Sequence, residues 1–267
     1  MTDAATPDPR RERPTERRAL DDARVPGWRV ETLAATGSTN AVAAARAEPG
    51  LVVVTDHQTA GRGRLDRGWE TPAGVALTFS AVVDPGVPDA RWPWLPLLAG
   101  LAVAAAVRRA TGIEATLKWP NDVLVGERKL AGILVERIDS SSRPVAVIGI
   151  GLNVHQTTLP VEPATSLALE GSPVDRADLL EAVLERLAAE LADWRAGAGE
   201  PTRLGAAYQR ACSTLGRQVS VQLPGDRTLT GLAESVDAQG RLVVRDQAGE
   251  RIPVGAGDVI HVRPSEG

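Results

Sequence analysis

The chain has 267 residues, of which 43% are apolar, and its 30 Lys and Arg against 34 Asp and Glu give a net charge of −4. This length is enough for one large domain and one small one, and the acidic balance argues against a protein held to nucleic acid mainly through phosphate contacts. With one cysteine, Cys212, the chain forms no internal disulfide and no thiolate metal cluster, and this content suits a reducing cytoplasm.

The first 25 residues are rich in Arg, Pro and Asp and contain almost no large apolar side chain. Such a segment buries too little surface to offset its loss of conformational entropy, so we predict that residues 1–25 are disordered. They also lack the apolar periodicity of a helix-turn-helix domain, and we therefore expect no specific DNA binding.

Two further classes of site are not expected. The longest apolar stretch, residues 92–107, is interrupted by Pro93 and Pro96 and is too short to span a bilayer, so we predict no membrane segment. The three histidines lie far apart in the chain without the spacing of metal ligands, which argues against a zinc site.

Strand and helix patterns alternate through residues 26–214, which predicts one mixed domain. Ser38, Thr39 and Asn40 supply N-cap chemistry for an Ala-rich helix over 41–47. The remaining predicted helices cover 94–111, 178–194 and 202–212, and the predicted strands cover 51–56, 74–83, 115–118, 122–125, 129–138 and 145–153.

Residues 215–267 have a different pattern, with short alternating runs separated by turn residues. The predicted strands cover 219–223, 229–232, 242–245 and 259–262. Short strands at this spacing are typical of a small β-barrel, so we predict a second domain here.

A loop rich in glycine and arginine follows the first predicted strand, over residues 58–64 (QTAGRGR). Its glycines allow the backbone to fold over a ligand, and the guanidinium groups of Arg62 and Arg64 suit carboxylate or phosphate. The loop is not a P-loop, because no Gly-Lys-Ser/Thr follows. Taken alone, it is equally consistent with a mobile basic surface loop.

Three further segments carry polar residues next to apolar strands. Residues 118–122 (KWPND) place a lysine, an amide and a carboxylate around a proline turn, which is also consistent with a simple strand-end turn. Lys129 begins an otherwise apolar strand over 129–136 (KLAGILVE). Burying its charge is costly unless anions neutralise it. The alternative is that Lys129 lies at a sheet edge and its ammonium reaches water. Residues 149–153 (GIGLN) allow a flat ring to approach the backbone.

Together these segments resemble the biotin–protein ligases. The resemblance rests on residues 38–40 (STN), the 58–64 loop, Trp69, KWPNDV with KLAGILVE, and GIGLNV, in the order and spacing of the family over residues 28–267. It implies an α+β catalytic domain with the mixed sheet and helices of class II aminoacyl-tRNA synthetases, followed by a small SH3-like barrel. It also implies biotinyl-adenylate formation from biotin and ATP, then transfer to a carrier lysine.

The resemblance assigns roles to individual residues. Lys129 would bridge the biotin carboxylate and the α-phosphate, where it stabilises developing charge, and Asp122 would orient or deprotonate the incoming lysine. Arg62 and Arg64 would close over the biotin chain and phosphates. The implied biotin-binding residues are Ser38, Thr39, Asn40, Gln58, Arg62, Gly63, Arg64, Lys129, Gly132 and Gly151, and the implied ATP-binding residues are Arg64, Trp69, Lys118, Asn121, Lys129 and Asn153.

The same resemblance implies Mg²⁺ bound with ATP, positioned near Asn121, and a protein partner. That partner is the biotin carboxyl carrier domain of an acyl-CoA or pyruvate carboxylase, and the expected location is the cytoplasm. Trp69 is alternatively a hydrophobic anchor for the loop. Asp66 departs from the family, which commonly has glycine there.

Two other functions are weighed against this one. Lipoate–protein ligase shares the implied fold, but the segment from Gly61 to Arg64 does not carry its expected signature, and KWPND favours biotin. A noncatalytic biotin-sensing regulator is disfavoured by the retained Lys129 and by the lack of a DNA-binding pattern before Trp28.

Overall fold

The computed structural model describes residues 18–64, 67–140, 143–159, 163–223, 225, 227–255 and 257–261. Within these ranges the chain forms a seven-stranded mixed sheet with helices and a five-stranded antiparallel sheet. This arrangement confirms the predicted α+β fold class, a mixed sheet with helices followed by a second, smaller sheet.

The seven-stranded sheet has the spatial order β1-β2-β3-β7-β6-β5-β4. Strands β1 and β2 are parallel and the other neighbours are antiparallel. Every residue of the central strand β7 is buried, which explains its nearly continuous apolar sequence. The strands are β1 (Arg29–Thr36), β2 (Leu51–Gln58), β3 (Ala76–Val83), β4 (Thr116–Lys118), β5 (Asp122–Val125), β6 (Arg128–Ile138) and β7 (Val145–Asn153).

Strand β1 has no counterpart among the predicted elements. It lies at the edge of the sheet, and its burial varies between half-buried and exposed along its length. Its charged and small residues, RVETLAAT, therefore give only a weak alternation. This strand is therefore recognised from its pairing with β2 and not from the pattern of its sequence.

The described residues form four α-helices and two short 3-10 helices. The α-helices are α1 (Thr39–Arg46), α2 (Leu95–Thr111), α3 (Arg176–Ala196) and α4 (Thr202–Ala211), and the 3-10 helices are Leu20–Asp22 and Asp89–Trp94. Helix α1 begins after Ser38, whose side chain accepts a hydrogen bond from the Ala41 amide, as an N-cap should. Helix α3 begins earlier than predicted because Asp175 accepts from two amides of its first turn. Its apolar residues at helical spacing are buried against α2, which confirms the predicted core face.

By length and composition, the segment Asp89–Thr111 resembles a membrane-crossing helix. In the fold, 56% of its most apolar window is buried inside the protein. Helix α2, within this segment, packs against α3 and the large sheet, so the apolar sequence is explained by core packing.

The prediction that residues 1–25 are disordered is wrong for residues 18–25. Leu20, Ala23 and Val25 are buried in the main core, and the Arg18 guanidinium pairs with Asp178 and Glu181 on α3. The composition of the segment did not indicate this packing, because only three apolar side chains are needed to cover a patch on helix α3. Residues 1–17 lie outside the described ranges.

The second sheet has the order β11-β10-β9-β8-β12. Its strands are β8 (Gln218–Leu223), β9 (Arg227–Val236), β10 (Leu242–Arg245), β11 (Arg251–Val254) and β12 (Asp258–His261). Strand β11 was not predicted, since a four-residue run containing Pro253 is a weak strand signal. Among the described residues no pairing joins β11 to β12, so the sheet has the expected SH3-like strand content without the closure of a barrel.

Two buried indoles connect the two sheets. Trp94 Nε1 donates to the Ala238 carbonyl and Trp119 Nε1 to the Gly240 carbonyl, each over 3.0 Å. Both carbonyls belong to the turn between β9 and β10, which therefore sits against the large domain. Trp119 accordingly acts as a core residue within the KWPND segment.

Candidate active site

One row of paired residues crosses the large sheet and combines glycines with polar side chains. The register pairs Thr78 with Gly151, Gly151 with Gly132, Gly132 with Asp122, and Asp122 with Lys118. Directly opposed residues of antiparallel strands share one face of a sheet. The row is therefore a floor with no side chains at its centre and ionisable groups at one end.

A β-bulge brings Lys129 to this floor. Regular alternation along β6 would place Lys129 and Gly132 on opposite faces. The register between β5 and β6 shifts between Val123 and Leu124, so that Lys129 is paired with Leu124 while Gly132 is paired with Asp122. Because one extra residue reverses the alternation, Lys129 lies on the same face as Gly132.

Lys129 and Asp122 form the charged centre of the floor. The Lys129 ammonium lies 2.6 Å from Asp122 Oδ1 and 5.5 Å from the centroid of the Trp69 ring. A Cβ on Gly132 would lie 3.2 Å from the same ammonium. Lys129 thus pairs with a carboxylate, as the neutralisation argument expected, while 32% of its side chain stays exposed.

The Trp69 ring lies flat against the glycine pair. A Cβ on Gly151 would lie 2.3 Å from indole Cε2 and Nε1, and a Cβ on Gly132 would lie 3.4 Å from Cζ3. A side chain at Gly151 would therefore displace the ring, whereas a methyl group at Gly132 would only touch it. In this structure Trp69 therefore serves as a hydrophobic anchor for the loop that precedes it.

Two buried polar atoms beside this ring have no hydrogen-bond partner. They are Trp69 Nε1 and Thr78 Oγ1, and Thr78 is only 3% exposed. Leaving such groups unpaired costs free energy, whereas a ligand with acceptor atoms on the floor would satisfy them.

A buried polar pocket adjoins the floor at the start of α1. Gln58 Oε1 accepts from the Thr39 amide over 2.9 Å, and Gln58 Nε2 donates to the Trp69 carbonyl over 3.1 Å. Ser80 Oγ lies 2.7 Å from Thr39 Oγ1 and 2.5 Å from Asn40 Oδ1. The structure therefore brings together Thr39, Asn40 and Gln58, as the motifs predicted. Ser38 stands beside them as the helix cap.

The loop over residues 61–69, termed here the ligand hairpin, is closed on itself by backbone bonds. The Trp69 amide donates to the Gly61 carbonyl over 2.8 Å, and the Gly63 amide donates to the Arg67 carbonyl over 2.6 Å. A Cβ on Gly61 would lie 2.0 Å from Gln58 Nε2, so glycine is required there. Leu65 and Asp66 lie outside the described residues.

Three arginines attach the ligand hairpin to three different elements. Arg62 Nη2 lies 3.4 Å from Glu136 Oε1 on β6. Arg64 Nη1 donates over 3.3 Å to Asn121 Oδ1 in the turn between β4 and β5. Arg67 pairs with Asp258 on β12, which belongs to the second sheet. The partners of Arg64 and Arg67 offer oxygen atoms that a bound anion could replace.

The surroundings of the hairpin shift the pKa values of two of its arginines in opposite directions. Burial lowers the pKa of Arg64, although Asp258 and Asp122 oppose this shift. The hydrogen bond to Asp258 raises the pKa of Arg67. An anionic ligand would offset the cost of burying the Arg64 charge, since the present partner of Arg64 is the neutral amide of Asn121.

Asn153 is placed differently from the expectation of nucleotide contact. It is 5% exposed, its Nδ2 donates to the Thr165 carbonyl, and its Oδ1 accepts from Gln156. Since the Thr165 amide in turn donates to the Lys129 carbonyl, Asn153 supports the loop beside Lys129 in this structure.

Two residues of the site were missed from the sequence. Ser80 is an internal residue of a buried strand, and nothing in its neighbourhood distinguishes it. Glu136 ends the KLAGILVE motif, so its position was visible, but its contact with Asn40 depends on packing across 96 residues. Within the described residues no cluster of three His, Cys, Asp or Glu side chains is arranged to hold a metal ion.

Comparisons with known proteins agree with this geometry. The model of the biotin/lipoate A/B protein ligase family matches residues 33–153, and that of the biotin protein ligase C-terminal domain matches residues 214–262. The biotin–(acetyl-CoA-carboxylase) ligase of Mycobacterium tuberculosis is 42% identical, over 94% of this chain and 97% of its own length. The enzyme of that name from Paracoccus denitrificans is 34% identical, over 82% and 95%.

A solved structure gives the same result. The biotin protein ligase of Aquifex aeolicus in complex with biotin and ATP superposes with a TM-score of 0.76 and 29% identity, covering 87% of this chain and 99% of that one. Sequence motifs, family models and fold agree, and the chain belongs to the biotin protein ligase family.

Proposed function

We propose that the chain is an ATP-dependent biotin–protein ligase that forms biotinyl-5′-AMP and transfers biotin to one lysine of a biotin carboxyl carrier domain. The observation that carries the proposal is the Lys129–Asp122 pair, 2.6 Å apart on the glycine floor beneath a hairpin with three arginines. This arrangement places a lysine and three arginines where the carboxylate of biotin and the phosphates of ATP could bind.

In the first step a biotin carboxylate oxygen bonds to the α-phosphorus of ATP, and the bond to the leaving pyrophosphate breaks. Negative charge grows on the oxygens around the phosphorus. Lys129 would exchange Asp122 for these oxygens, and its charge is worth most in a site from which water is excluded. Arg64, held only by a neutral amide, would turn to the phosphates.

In the second step the acceptor lysine amine attacks the carbonyl carbon of the mixed anhydride, and AMP leaves. The attacking nitrogen must lose a proton. Once Lys129 faces the adenylate, the Asp122 carboxylate is available to orient that amine or accept its proton. The same two residues would thus serve both steps at one place.

Biotin would occupy the polar pocket and the floor. Thr39, Gln58 and Ser38 would face the ureido ring, with Asn40 beside them, and Arg62 and Gly63 would cover the chain. Gly132 and Gly151 add no side chains of their own to the floor, but the Trp69 ring covers them here, so the ring of a ligand would reach them only when Trp69 moves aside. Trp69 and Lys118 would lie beside the nucleotide, whereas a contact from Asn153 would require it to exchange a partner.

Mg²⁺ would arrive with ATP. This cation binds one or two protein oxygens together with substrate phosphates, and Asp122 and the Asn121 amide oxygen are the donors that fit beside the floor. When bound, the ion would neutralise phosphate charge.

The proposed partner is the carrier domain of an acyl-CoA or pyruvate carboxylase in the cytoplasm. We propose no specific DNA binding and no membrane association.

Mass spectrometry of a carrier domain incubated with enzyme, biotin, ATP and magnesium tests the function. We expect one added biotinyl group, lost when the acceptor lysine is replaced by arginine. Pyrophosphate should appear only when biotin and ATP are both present. Modification with lipoate in place of biotin would favour the lipoate ligase alternative, and an unchanged carrier mass would refute the ligase assignment.

A further inference from the structure

Glu136 is the one carboxylate among the described residues that touches both the buried pocket and the ligand hairpin. Its Oε2 accepts from Asn40 Nδ2 over 2.6 Å, and its Oε1 lies 3.4 Å from Arg62 Nη2. It shares the floor's face of β6 with Gly132, since the two are four residues apart along a strand. Its side chain is 29% exposed, so it stands at the rim of the site.

The contact with Glu136 fixes the orientation of a buried amide. Asn40 is 6% exposed and lies so close to Gly149 that a Cβ there would be 2.1 Å from Asn40 Oδ1. An ionised carboxylate only accepts hydrogen bonds, so Glu136 holds the NH₂ group of Asn40. The amide oxygen must then face Ser80, whose hydroxyl lies 2.5 Å away.

This orientation propagates to the biotin-facing side of the pocket. Ser80 Oγ also lies 2.7 Å from Thr39 Oγ1, and the Thr39 amide donates to Gln58. A connected polar chain therefore runs from Gln58 through Thr39, Ser80 and Asn40 to Glu136. Buried networks of this kind depend on every member being satisfied.

At its other end the chain reaches the ligand hairpin. The Arg62 side chain is 58% exposed, and an exposed ion pair by itself contributes little stability. The joint contact matters more, because the carboxylate that sets the Asn40 amide also holds the first arginine of the hairpin above the pocket.

We propose that Glu136 is a positioning residue that couples the orientation of the Asn40 amide in the biotin pocket to the position of the Arg62 guanidinium beside that pocket. The inference rests on the proposed function and deepens it. Glu136 itself does not touch the reacting atoms, so its loss weakens retention of biotin and of the adenylate more than it slows the chemical step.

Replacement by glutamine separates coupling from packing. Glu136→Gln keeps the side-chain shape and one oxygen for Asn40 but removes the charge that holds Arg62. We expect biotin affinity, measured by calorimetry without ATP, to fall about 10-fold, as for loss of a charge-assisted hydrogen bond. The KM for biotin should rise in parallel, while kcat and the unfolding temperature stay close to wild type.

The matched control is Glu185→Gln. Glu185 lies on α3, away from the site, and pairs with Arg109 of α2. Half of the Glu185 side chain (50%) is exposed. We expect this variant to bind biotin like the wild type. It reports what removal of one surface carboxylate does by itself to binding and to net charge.

A double-variant cycle tests the coupling directly. In an Arg62→Gln background, Glu136→Gln should cost clearly less biotin affinity than in the wild type, because the shared contact is already gone. Equal costs in both backgrounds, or unchanged affinity in the single variant, would overturn the proposal. A loss of kcat with a lowered unfolding temperature would instead assign Glu136 a structural role. If the wild-type protein binds no biotin and modifies no carrier, the proposed function fails first.

Discussion

The floor of the site and the ligand hairpin above it are held by different kinds of interaction. Gly132 and Gly151 belong to adjacent strands in the interior of the large sheet, where backbone hydrogen bonds allow one geometry. The hairpin is held to the rest of the protein by side chains, including the partly exposed pairs of Arg62 with Glu136 and of Arg67 with Asp258.

The difference explains how one site can be both specific and open to substrate. A floor held by backbone hydrogen bonds keeps its shape, so under the proposed function it would fix where the reacting groups lie. Exposed ion pairs are individually weak. Carboxylates and phosphates of the ligands can therefore replace Asp258 as the partner of Arg67 at little cost, and the neutral Asn121 amide as the partner of Arg64.

The largest expected effect comes from the charged centre of the floor. Lys129→Ala should lower the rate of adenylate formation by about 10²–10³-fold, as for removal of a preorganised charge donor. Pyrophosphate release with biotin and ATP measures it. Arg128→Ala is the control, because Arg128 is adjacent in sequence, is half exposed and pairs with Glu170 instead. Normal turnover by the folded Lys129→Ala variant would show that adenylate formation does not depend on the Lys129 charge.

A methyl group on the floor should have the next largest effect. Gly151→Ala places a Cβ 2.3 Å from the Trp69 ring and forces the ring and the hairpin away. Misplacement of this size should reduce kcat/KM for biotin by up to about 10²-fold, with little change in unfolding temperature. The Gly151→Ala change should cost much less when Trp69 is already alanine. Equal losses in both backgrounds would mean that the methyl group acts on the ligand and not through Trp69.

Loosening the hairpin at its far end should have a smaller effect. Asp258→Asn removes the charge that pairs with Arg67 across the two domains. Because Arg67 is 62% exposed, we expect the KM for ATP to rise only about 2- to 5-fold. Limited proteolysis of the ligand-free variant should cut residues 61–69 faster than in the wild type. Protease resistance equal to that of the wild type would show that the pair does not restrain the hairpin.

The smallest expected effect concerns His261, at the end of the strand that carries Asp258. Burial, with the charges of Lys118 and Arg217, lowers the pKa of His261, while Glu127 partly opposes this. The unfolded chain therefore takes up this proton at higher pH than the folded chain. Stability is unaffected by His261 above about pH 6.5 and decreases as the pH falls below that value.

Thermal unfolding between about pH 5 and pH 8 measures this effect. His261→Gln keeps a partner for the Thr214 hydroxyl, which lies 3.1 Å from His261 Nε2, but cannot be protonated. Its unfolding temperature should decrease less on acidification than that of the wild type. If the unfolding temperatures of the two proteins decrease equally with pH, His261 does not contribute to the acid sensitivity of the fold.

Much of the fold follows from local sequence. The bounds predicted for β5, β7 and β10 match the structure, and α3 was recognised from its apolar spacing. These elements are either buried on both faces or strongly amphipathic, so burial leaves a direct mark on composition. Strands β1 and β11 were missed because an exposed edge leaves no such mark.

The sequence by itself also determined which residues are candidates for the site, because Lys129, Asp122 and the glycines stand in motifs that can be read without coordinates. Only the tertiary structure decided how they meet. A bulge opposite Val123 and Leu124 turns Lys129 onto the glycine face, and Asp258 reaches Arg67 from a second sheet 191 residues away in sequence. Ser80, Glu136 and the residues of the 18–25 segment likewise act through contacts across long separations. Periodicity reports which side of an element is buried, whereas register shifts and distant pairings arise only when complete elements pack together.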